Sequence, residues 1–175
     1  MFSKINHVAI VSDNYAKSTL FYQAVFGMRA PDKARPARAQ TVGDGYVGLN
    51  INPRRAGRQA GLNHFGIEVE DSETAFERMR TKYPTVKWLK RPSNRPFAGI
   101  STHDPDGNMF DISQKNMANR TSVYRDQEGK SEVNERHIDH VALRTMHPDE
   151  TAEFYRHVFE LAPSNKREGD RNHYL

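Results

Sequence analysis

A histidine recurs in the third place of three short, similar segments of this chain, at His7, His64 and His140, and each segment has the alternating pattern of a β-strand. Because strand side chains alternate between the two faces of a sheet, each histidine shares a face with the residue two places later, which is alanine or glycine. A small residue beside an imidazole leaves a hollow of the kind that a bound metal ion and a substrate require. The opposite face is bulky and apolar and is predicted to pack against helices.

The first and third segments belong to a longer internal repeat. Residues 133 positions apart are identical at eight places, several of them aromatic: Ile5/Ile138, His7/His140, Val8/Val141, Ala9/Ala142, Phe21/Phe154, Tyr22/Tyr155, Val25/Val158 and Phe26/Phe159. So many matches at a fixed spacing predict repeated structural units rather than coincidence.

Each unit is predicted to begin with its histidine strand, followed by a helix and then by further strands. The first unit covers residues 1–53, with a helix that starts near Asn14, stops at Gly27 and places Leu20, Phe21 and Val25 at helical spacing. The second covers residues 61–114, with a helix from Asp71-Ser72 to about Lys82 and a strong turn signal at residues 104–107 between two strands.

The rest of the chain is predicted to hold a linker and part of a third unit. Residues 115–136 are polar and charged and have the composition of a linker. Residues 137–175 then contain a strand over 137–145 and a helix that starts near Pro148. The strands that would complete the unit are missing, so we expect a fragment of a four-unit protein. We also expect the open unit to pair with another copy, as a homo-oligomer, or with another unit.

Composition narrows the function classes. The chain has 175 residues, no cysteine and a net charge of +4 with a pI near 9.4. The absence of cysteine excludes disulfides and thiolate metal sites. Basic residues are scattered among the acidic ones, so the charge favours a solvated surface over a nucleic-acid footprint. Neither a membrane span nor a signal peptide is evident, so we expect a cytoplasmic protein that binds a small molecule and neither nucleic acid nor membrane.

The repeated strand-helix-strand-strand-strand module, the apolar-x-His strand and the ending Asp104-Pro105-Asp106-Gly107-Asn108-Met109-Phe110-Asp111 resemble the vicinal oxygen chelate superfamily. Glyoxalase I, bleomycin-resistance proteins and extradiol dioxygenases belong to it. The resemblance covers residues 4–114 as a module pair and 137 to about 161 as part of a third. It implies an α+β fold in which paired βαβββ modules form a cupped mixed sheet, here with an incomplete third module, and a divalent metal in the cup.

Carried over residue by residue, the resemblance implies that His7, His64 and Asp111 are metal ligands. Two imidazoles and one carboxylate suit Fe(II), which we favour, or Mn(II) or another divalent ion, with positions left open for substrate or dioxygen. Asn50 stands where glyoxalase-like members have a fourth ligand, so three protein ligands are expected. Asp111 stands where the family usually has glutamate. Taken singly, each residue is more often an ordinary polar residue, and the metal prediction depends on the three positions coinciding.

Other polar residues have weaker assignments. His103 is the one nearby substitute for a proton carrier, because Ile100-Ser101 and Ser93-Asn94 replace residues of the extradiol signature. Glu68 and His103 are otherwise expected at the rim of the cup. His140 is either idle or half of a second site.

Three functions remain open. The first, which we favour, is a metal-dependent dioxygenase acting on a catechol-like or other vicinal-oxygen substrate. The second is a glyoxalase- or epimerase-like enzyme in which the metal polarises a carbonyl, although Asn50 replaces the carboxylate that such a mechanism would use. The third is a metal-free binding protein of the resistance type.

Overall fold

The computed structural model describes residues 1, 3–30, 39–91, 99–115, 138–164 and 173–175. Two antiparallel strands, β1 (Ser3–Ser12) and β4 (Gly61–Val69), carry the first two histidine segments at the middle of a seven-stranded sheet. The other strands are β2 (Gln40–Gly43), β3 (Gly48–Pro53), β5 (Leu89–Lys90), β6 (Ile100–His103) and β7 (Met109–Gln114).

The sheet is mixed, as predicted, and nearly symmetric about its central strand pair. Its order is β2-β3-β1-β4-β7-β6-β5, with β3 parallel to β1, β7 parallel to β4, and the outer pairs antiparallel. The second unit shows the full strand-helix-strand-strand-strand order. In the first unit two strands follow the helix within the described residues, and residues 31–38 lie outside them.

The three helices of the described residues begin close to the predicted residues, and the first two also end close to them. In α1 (Tyr15–Phe26) the side chain of Asn14 accepts a hydrogen bond from the amide of Lys17, and Gly27 ends the helix in the left-handed conformation at φ 66°. In α2 (Ser72–Lys82) Asp71 accepts from the amide of Glu73. In α3 (Pro148–Phe159) a proline occupies the first turn, where its missing N–H costs nothing.

Apolar side chains on the helix side of the sheet form two clusters. One lies under the first unit and includes Val8, Leu49 and Ile51. The other lies under the second unit and joins Phe65 and Phe110 of the sheet to buried residues of α2 and α3. The face with the histidines is therefore the face turned away from the helices, as the strand alternation predicts.

The repeat places identical residues in different surroundings. On α3 the residues Phe154, Tyr155, Val158 and Phe159 are buried in the cluster of the second unit. Of their counterparts on α1, Tyr22 is partly buried against the cluster of the first unit, whereas Phe21, Val25 and Phe26 are 52%, 42% and 36% exposed. Apolar residues on α1 occupy more than one face, and their spacing alone does not reveal which face the sheet covers.

The strand predicted over residues 137–145 is also wrong: its described part pairs with no strand of the sheet. Its side chains alternate as expected, with Val141 partly buried against both clusters and His140 exposed. The backbone bonds to side chains instead, and the amide of Ile138 donates to Asp44 Oδ2 at 2.6 Å. An extended segment lying on an apolar surface has the same alternation as a strand, which explains the error.

The turn between β6 and β7 attaches the third unit to the second. Asp104 is fully buried there and accepts a hydrogen bond from the hydroxyl of Tyr155 at 3.1 Å. Asp106 accepts from the Thr145 hydroxyl and from the amide of Met146 at 2.6 Å, and it lies 2.7 Å from Nδ1 of His147. Residues 145–147 and 155, which belong to the predicted third unit, are thus anchored to the second unit.

The structure gives little information on three other predictions, which concern the linker, pairing with another copy and the absence of a membrane span. Except for Lys115, the predicted linker over residues 115–136 lies outside the described residues. Pairing with another copy stays a prediction. Among the described helices, none has the length and apolar character that crossing a membrane requires.

Two residues of the repeat provide a matched test of the packing. Phe154→Ala should lower the free energy of unfolding by about 3–5 kcal/mol, because it empties a fully buried site. Phe21→Ala should cost less than about 1 kcal/mol, because half of its side chain is already in water. Urea denaturation measures the free energy of unfolding of both variants. Val158→Ala and Val25→Ala make the same comparison with a smaller truncation. Equal losses at the two helices would contradict the difference in burial.

The contact of Asp106 with His147 predicts a pH dependence of stability. Hydrogen bonds from Thr145, His147 and Met146 lower the pKa of Asp106 to about 2, so its contribution is lost as the pH falls below the ordinary value of 3.8. Asp106 raises the pKa of His147, so that contribution is complete below the ordinary value of 6.5 and is lost as the pH rises through the raised pKa. The contact should therefore stabilise most between about pH 4 and pH 6.5.

Urea midpoints at two pH values, about 5.5 and 8.5, test this window. His147→Gln should shrink the difference between the two midpoints, whereas His140→Gln, at an exposed residue away from Asp106, should leave it unchanged. An unaltered difference in His147→Gln would refute the assignment.

Candidate metal centre

Strand pairing brings the three predicted ligands onto one face of the sheet. His7 of β1 pairs with Gly66 of β4, and Gly66 pairs in turn with Asp111 of β7. Two residues further along β1, Ala9 lies opposite His64 of β4. Residues directly paired across strands point to the same side, so both imidazoles and the carboxylate meet on the face away from the helices.

The three side chains converge within a short distance. Nε2 of His7 lies 3.6 Å, and Nε2 of His64 3.5 Å, from Oδ2 of Asp111. One donor atom from each of the three residues lies within 4.8 Å of the others, and the two rings meet edge to face with centroids 5.4 Å apart. His7 and Asp111 are buried, whereas the side chain of His64 is 24% exposed, so the cluster opens to solvent beside His64.

A short chain of hydrogen bonds fixes the carboxylate. Ser101, paired with Asp111 across β6 and β7, donates its hydroxyl to Oδ1, and Nε of Arg91 donates to the same serine oxygen at 2.5 Å. Burial acts to raise the pKa of Asp111, but the facing imidazoles of His7 and His64 and the Ser101 hydroxyl outweigh it, so the pKa lies below its ordinary value. Asp111 is therefore a carboxylate anion at neutral pH.

Each imidazole has a partner on its other nitrogen. Nδ1 of His7 lies 2.8 Å from Oδ1 of Asn6, and Nδ1 of His64 lies 2.8 Å from Oδ1 of Asn63. A carboxamide oxygen only accepts hydrogen bonds, so each contact calls for a proton on Nδ1, and in the neutral imidazole this leaves the lone pair on Nε2. A cation bound between the two Nε2 atoms and the carboxylate would therefore meet three electron-pair donors.

Gly66 is required by the position of the His7 ring. A Cβ atom at residue 66 would overlap Cε1 and Nδ1 of His7 and Oδ1 of Asn6. The small residue predicted beside a histidine therefore does leave a hollow, but at Gly66 the imidazole of the neighbouring strand fills it. The sequence pattern identified the small residue correctly and its occupant incorrectly.

The remaining predicted site residues do not belong to the group of converging donors, which comprises His7, His64 and Asp111. Asn50 pairs with Ala9 in the same cross-strand row as His64, and its Oδ1 accepts from Thr41 at 2.8 Å. Glu68 is buried with 1% exposure, so its expected place at a rim is wrong. His140 is exposed and off the sheet.

His103 lies at the end of β6, where its ring bonds to the local backbone. Nδ1 is 2.7 Å from the carbonyl oxygen of Asp104, and Nε2 accepts from the amide of Lys87 at 3.3 Å. To carry a proton for a substrate, His103 would have to break one of these bonds. Its catalytic role stays a prediction.

Sequence reasoning did not single out Asn6, Asn63, Ser101 or Arg91. The asparagines left a signal, because a residue with a side-chain oxygen precedes the histidine in every copy of the repeat, as Asn6, Asn63 and Asp139. Ser101 and Arg91 left none, since only the strand register brings them to Asp111.

The donor set fits a divalent ion. Bonds of about 2.0–2.2 Å from nitrogen and oxygen ligands let one ion reach two atoms as much as about 4 Å apart. The two separations from Asp111 Oδ2, 3.5 and 3.6 Å, lie within that limit, and the donor atoms of all three residues lie within 4.8 Å of one another. A cavity of about 620 Å³ between the end of β1, the start of α1 and residues 60–61 contains none of the three ligands, so it is separate from this centre.

Comparisons with known proteins agree with this geometry. Residues 4–112 match the family model of the Glyoxalase/Bleomycin resistance protein/Dioxygenase superfamily. The manganese-dependent 2,3-dihydroxybiphenyl 1,2-dioxygenase of Geobacillus genomosp. 3 is 26% identical over 166 residues, which are 85% of this chain and 50% of that protein. The metallothiol transferase FosB of Lysinibacillus sphaericus is 25% identical over 125 residues, covering 69% of this chain and 89% of that one.

A solved catechol 2,3-dioxygenase shares the fold with a TM-score of 0.64 at 13% identity, over 97% of this chain and 61% of that one. The chain therefore spans about half the length of the dioxygenase relative that it matches.

Gly66→Ala tests how tightly the centre is built. The added methyl group should displace the His7 ring and weaken Mn(II) binding by at least about 10-fold, measured by calorimetric titration. Without metal, the variant should melt at a lower temperature, and His7→Ala in the same chain should recover part of that loss because the smaller side chain relieves the overlap. Ala142→Val, at the exposed counterpart in the third copy, is the control. Undisturbed metal binding in Gly66→Ala would contradict the crowding.

Proposed function

The chain belongs to the glyoxalase/bleomycin resistance protein/dioxygenase superfamily, and we propose that it holds a divalent metal with His7, His64 and Asp111 and acts as a dioxygenase on a small substrate with vicinal oxygens. The observation that carries the proposal is the convergence of two Nε2 atoms and one carboxylate oxygen on a single point of the sheet.

The donor types favour a metal of the first transition series. Two imidazoles and one carboxylate are the ligands of non-haem iron oxygenases, in which positions on the metal stay open for substrate and oxygen. Manganese suits the same set, and the dioxygenase relative is named as manganese-dependent. When bound, such an ion would supply Lewis-acid polarisation of substrate oxygens and a place for dioxygen. Fe(II) and Mn(II) are therefore the metals to test first.

The residues of the chain would hold and shield this centre. Ser101 and Arg91 keep the Asp111 carboxylate in place, and burial of His7 closes the inner side to water. The partly exposed His64 lies on the side from which a substrate would enter. A fixed set of ligands with one open side is what positioning of a small substrate requires.

The residue type and the hydrogen bond of Asn50 favour an oxygenase over a glyoxalase-like enzyme. A carboxamide whose oxygen already accepts from Thr41 is a poor fourth ligand and a poor base. Three protein ligands leave more open positions for a two-oxygen substrate together with dioxygen.

A second candidate is metal-dependent group transfer or isomerisation without dioxygen. It is favoured by the extent of the match to the metallothiol transferase, which covers 69% of this chain and 89% of that protein. The matched part of the chain is thus nearly as long as a whole relative, and the need for dioxygen separates the two candidates.

The proposed function predicts metal-dependent oxygen uptake. Purified chain loaded with Fe(II) or Mn(II) under nitrogen should bind close to one ion and consume dioxygen with at least one member of a catechol panel. His64→Ala and Asp111→Asn should lose more than about 100-fold in metal affinity, beyond the effect typical of supporting residues, whereas His140→Ala should bind as the wild type does. Metal binding without oxygen uptake would favour the second candidate, and no metal binding at all would refute both.

A further inference from the structure

We propose that Asn6 and Asn63 are positioning residues that set the tautomer and the direction of His7 and His64, so that both Nε2 lone pairs face Asp111. The use of those lone pairs for a metal depends on the proposed function. The positioning itself rests on geometry alone: in both strands the carboxamide oxygen of the preceding asparagine lies 2.8 Å from Nδ1 of the histidine.

Two β-bulges make this contact between sequence neighbours possible. In a regular strand adjacent side chains point to opposite faces and do not meet. In β1 the pairing advances from Ile5 to His7 while β4 advances by one residue, which leaves Asn6 as the extra residue. In β4 the pairing advances from Leu62 to His64 while β1 advances by one, which leaves Asn63 as the extra residue. A bulge re-aims a side chain, and here it does so immediately before each histidine.

The orientation of the Asn6 carboxamide is fixed by a second bond. Nδ2 of Asn6 donates to Oγ of Ser113 on β7 at 2.8 Å, so the oxygen of the amide is the atom turned toward His7. Asn6 is buried, with 3% of its surface exposed, and water competes little for this oxygen. For the neutral His7 ring, a proton on Nδ1 satisfies this 2.8 Å contact, whereas Asp111 Oδ2 lies 3.6 Å from Nε2, so the geometry favours the Nδ1 tautomer.

Asn63 makes the same contact at a more solvent-exposed position. Its side chain is exposed, and His64 beside it is partly exposed. Water can replace the asparagine oxygen there at little cost. Removing the Asn6 side chain should consequently disturb its histidine more than removing the Asn63 side chain does.

The third copy of the repeat provides an internal control. Nδ1 of His140 lies 3.2 Å from Oδ2 of Asp139, so the local pair is kept with a carboxylate in place of a carboxamide. Both residues are exposed and lie off the sheet, far from any strand partner that could bring a third ligand. Changes at Asp139 should leave metal binding at the candidate centre unaltered.

The test combines tautomer measurement with metal binding. Nitrogen-15 NMR of the imidazoles in metal-free protein, at about pH 8.5 and so well above the ordinary histidine pKa, should show His7 and His64 protonated on Nδ1. Asn6→Ala should convert His7 to a mixture of tautomers and weaken Mn(II) binding by about 10- to 100-fold. Asn63→Ala should act only on His64 and cost less, and Asp139→Ala should change neither readout at His7 or His64.

A conservative variant separates positioning from a general loss of structure. Asn63→Asp keeps an acceptor beside Nδ1 and adds negative charge, so it should retain the tautomer and bind Mn(II) at least as tightly as the wild type. Because residue 63 is exposed, Asn63→Ala and Asn63→Asp keep the test valid even if Asn6→Ala does not fold.

Unchanged tautomers and unchanged Mn(II) affinity in both alanine variants would overturn the proposal. A wild-type chain that binds no Mn(II) or Fe(II) but shows the expected tautomers and their loss in the alanine variants would refute the proposed function and leave the positioning established.

Discussion

The antiparallel pairing of β1 with β4 is the constraint on which the candidate centre depends. It sets His7 beside Gly66 and His64 beside Ala9, and the parallel pairing of β4 with β7 adds Asp111 to the first row. A slip of one residue would turn one imidazole to the helix side, because strand side chains alternate. The two bulges belong to this constraint, since they correct the register on either side of the histidines while each places an asparagine against a ring.

Pairing between strands, including that of β6 with β7, also explains how the buried Asp111 carboxylate stays charged. An anion in the interior is costly unless charge or hydrogen bonds compensate it. Asp111 receives the Ser101 hydroxyl, which Arg91 holds in turn, and it faces two imidazoles. These partners come from different strands, so the compensation exists only in the folded sheet. The lowered pKa of Asp111 reflects the balance between burial and these contacts.

How far the sequence predicts the molecule depends on the range of the interaction concerned. Helix ends follow from local chemistry, so the caps at Asn14, Gly27 and Asp71 were predictable. The ligand set was predictable from strand alternation together with the family resemblance. The Ser101 contact was not, because it depends on register between distant strands, and neither was the exposure of Phe21, because spacing along a helix does not say which face meets the sheet.

The third copy of the repeat shows whether local contacts or strand pairing is needed to form the candidate metal centre. His140 has the local partner that His7 and His64 have, and the segment around it has the same alternation of side chains. Its backbone, however, is tied to Asp44 and lies on the helix side of the sheet rather than within a strand pair. Among the described residues, no strand pairs with this segment, so no strand register brings a carboxylate to its Nε2. All three copies of the repeat therefore have a histidine whose Nδ1 faces an oxygen of the preceding residue. Only the two copies whose strands pair in the sheet bring their histidines to a carboxylate and form the candidate metal centre.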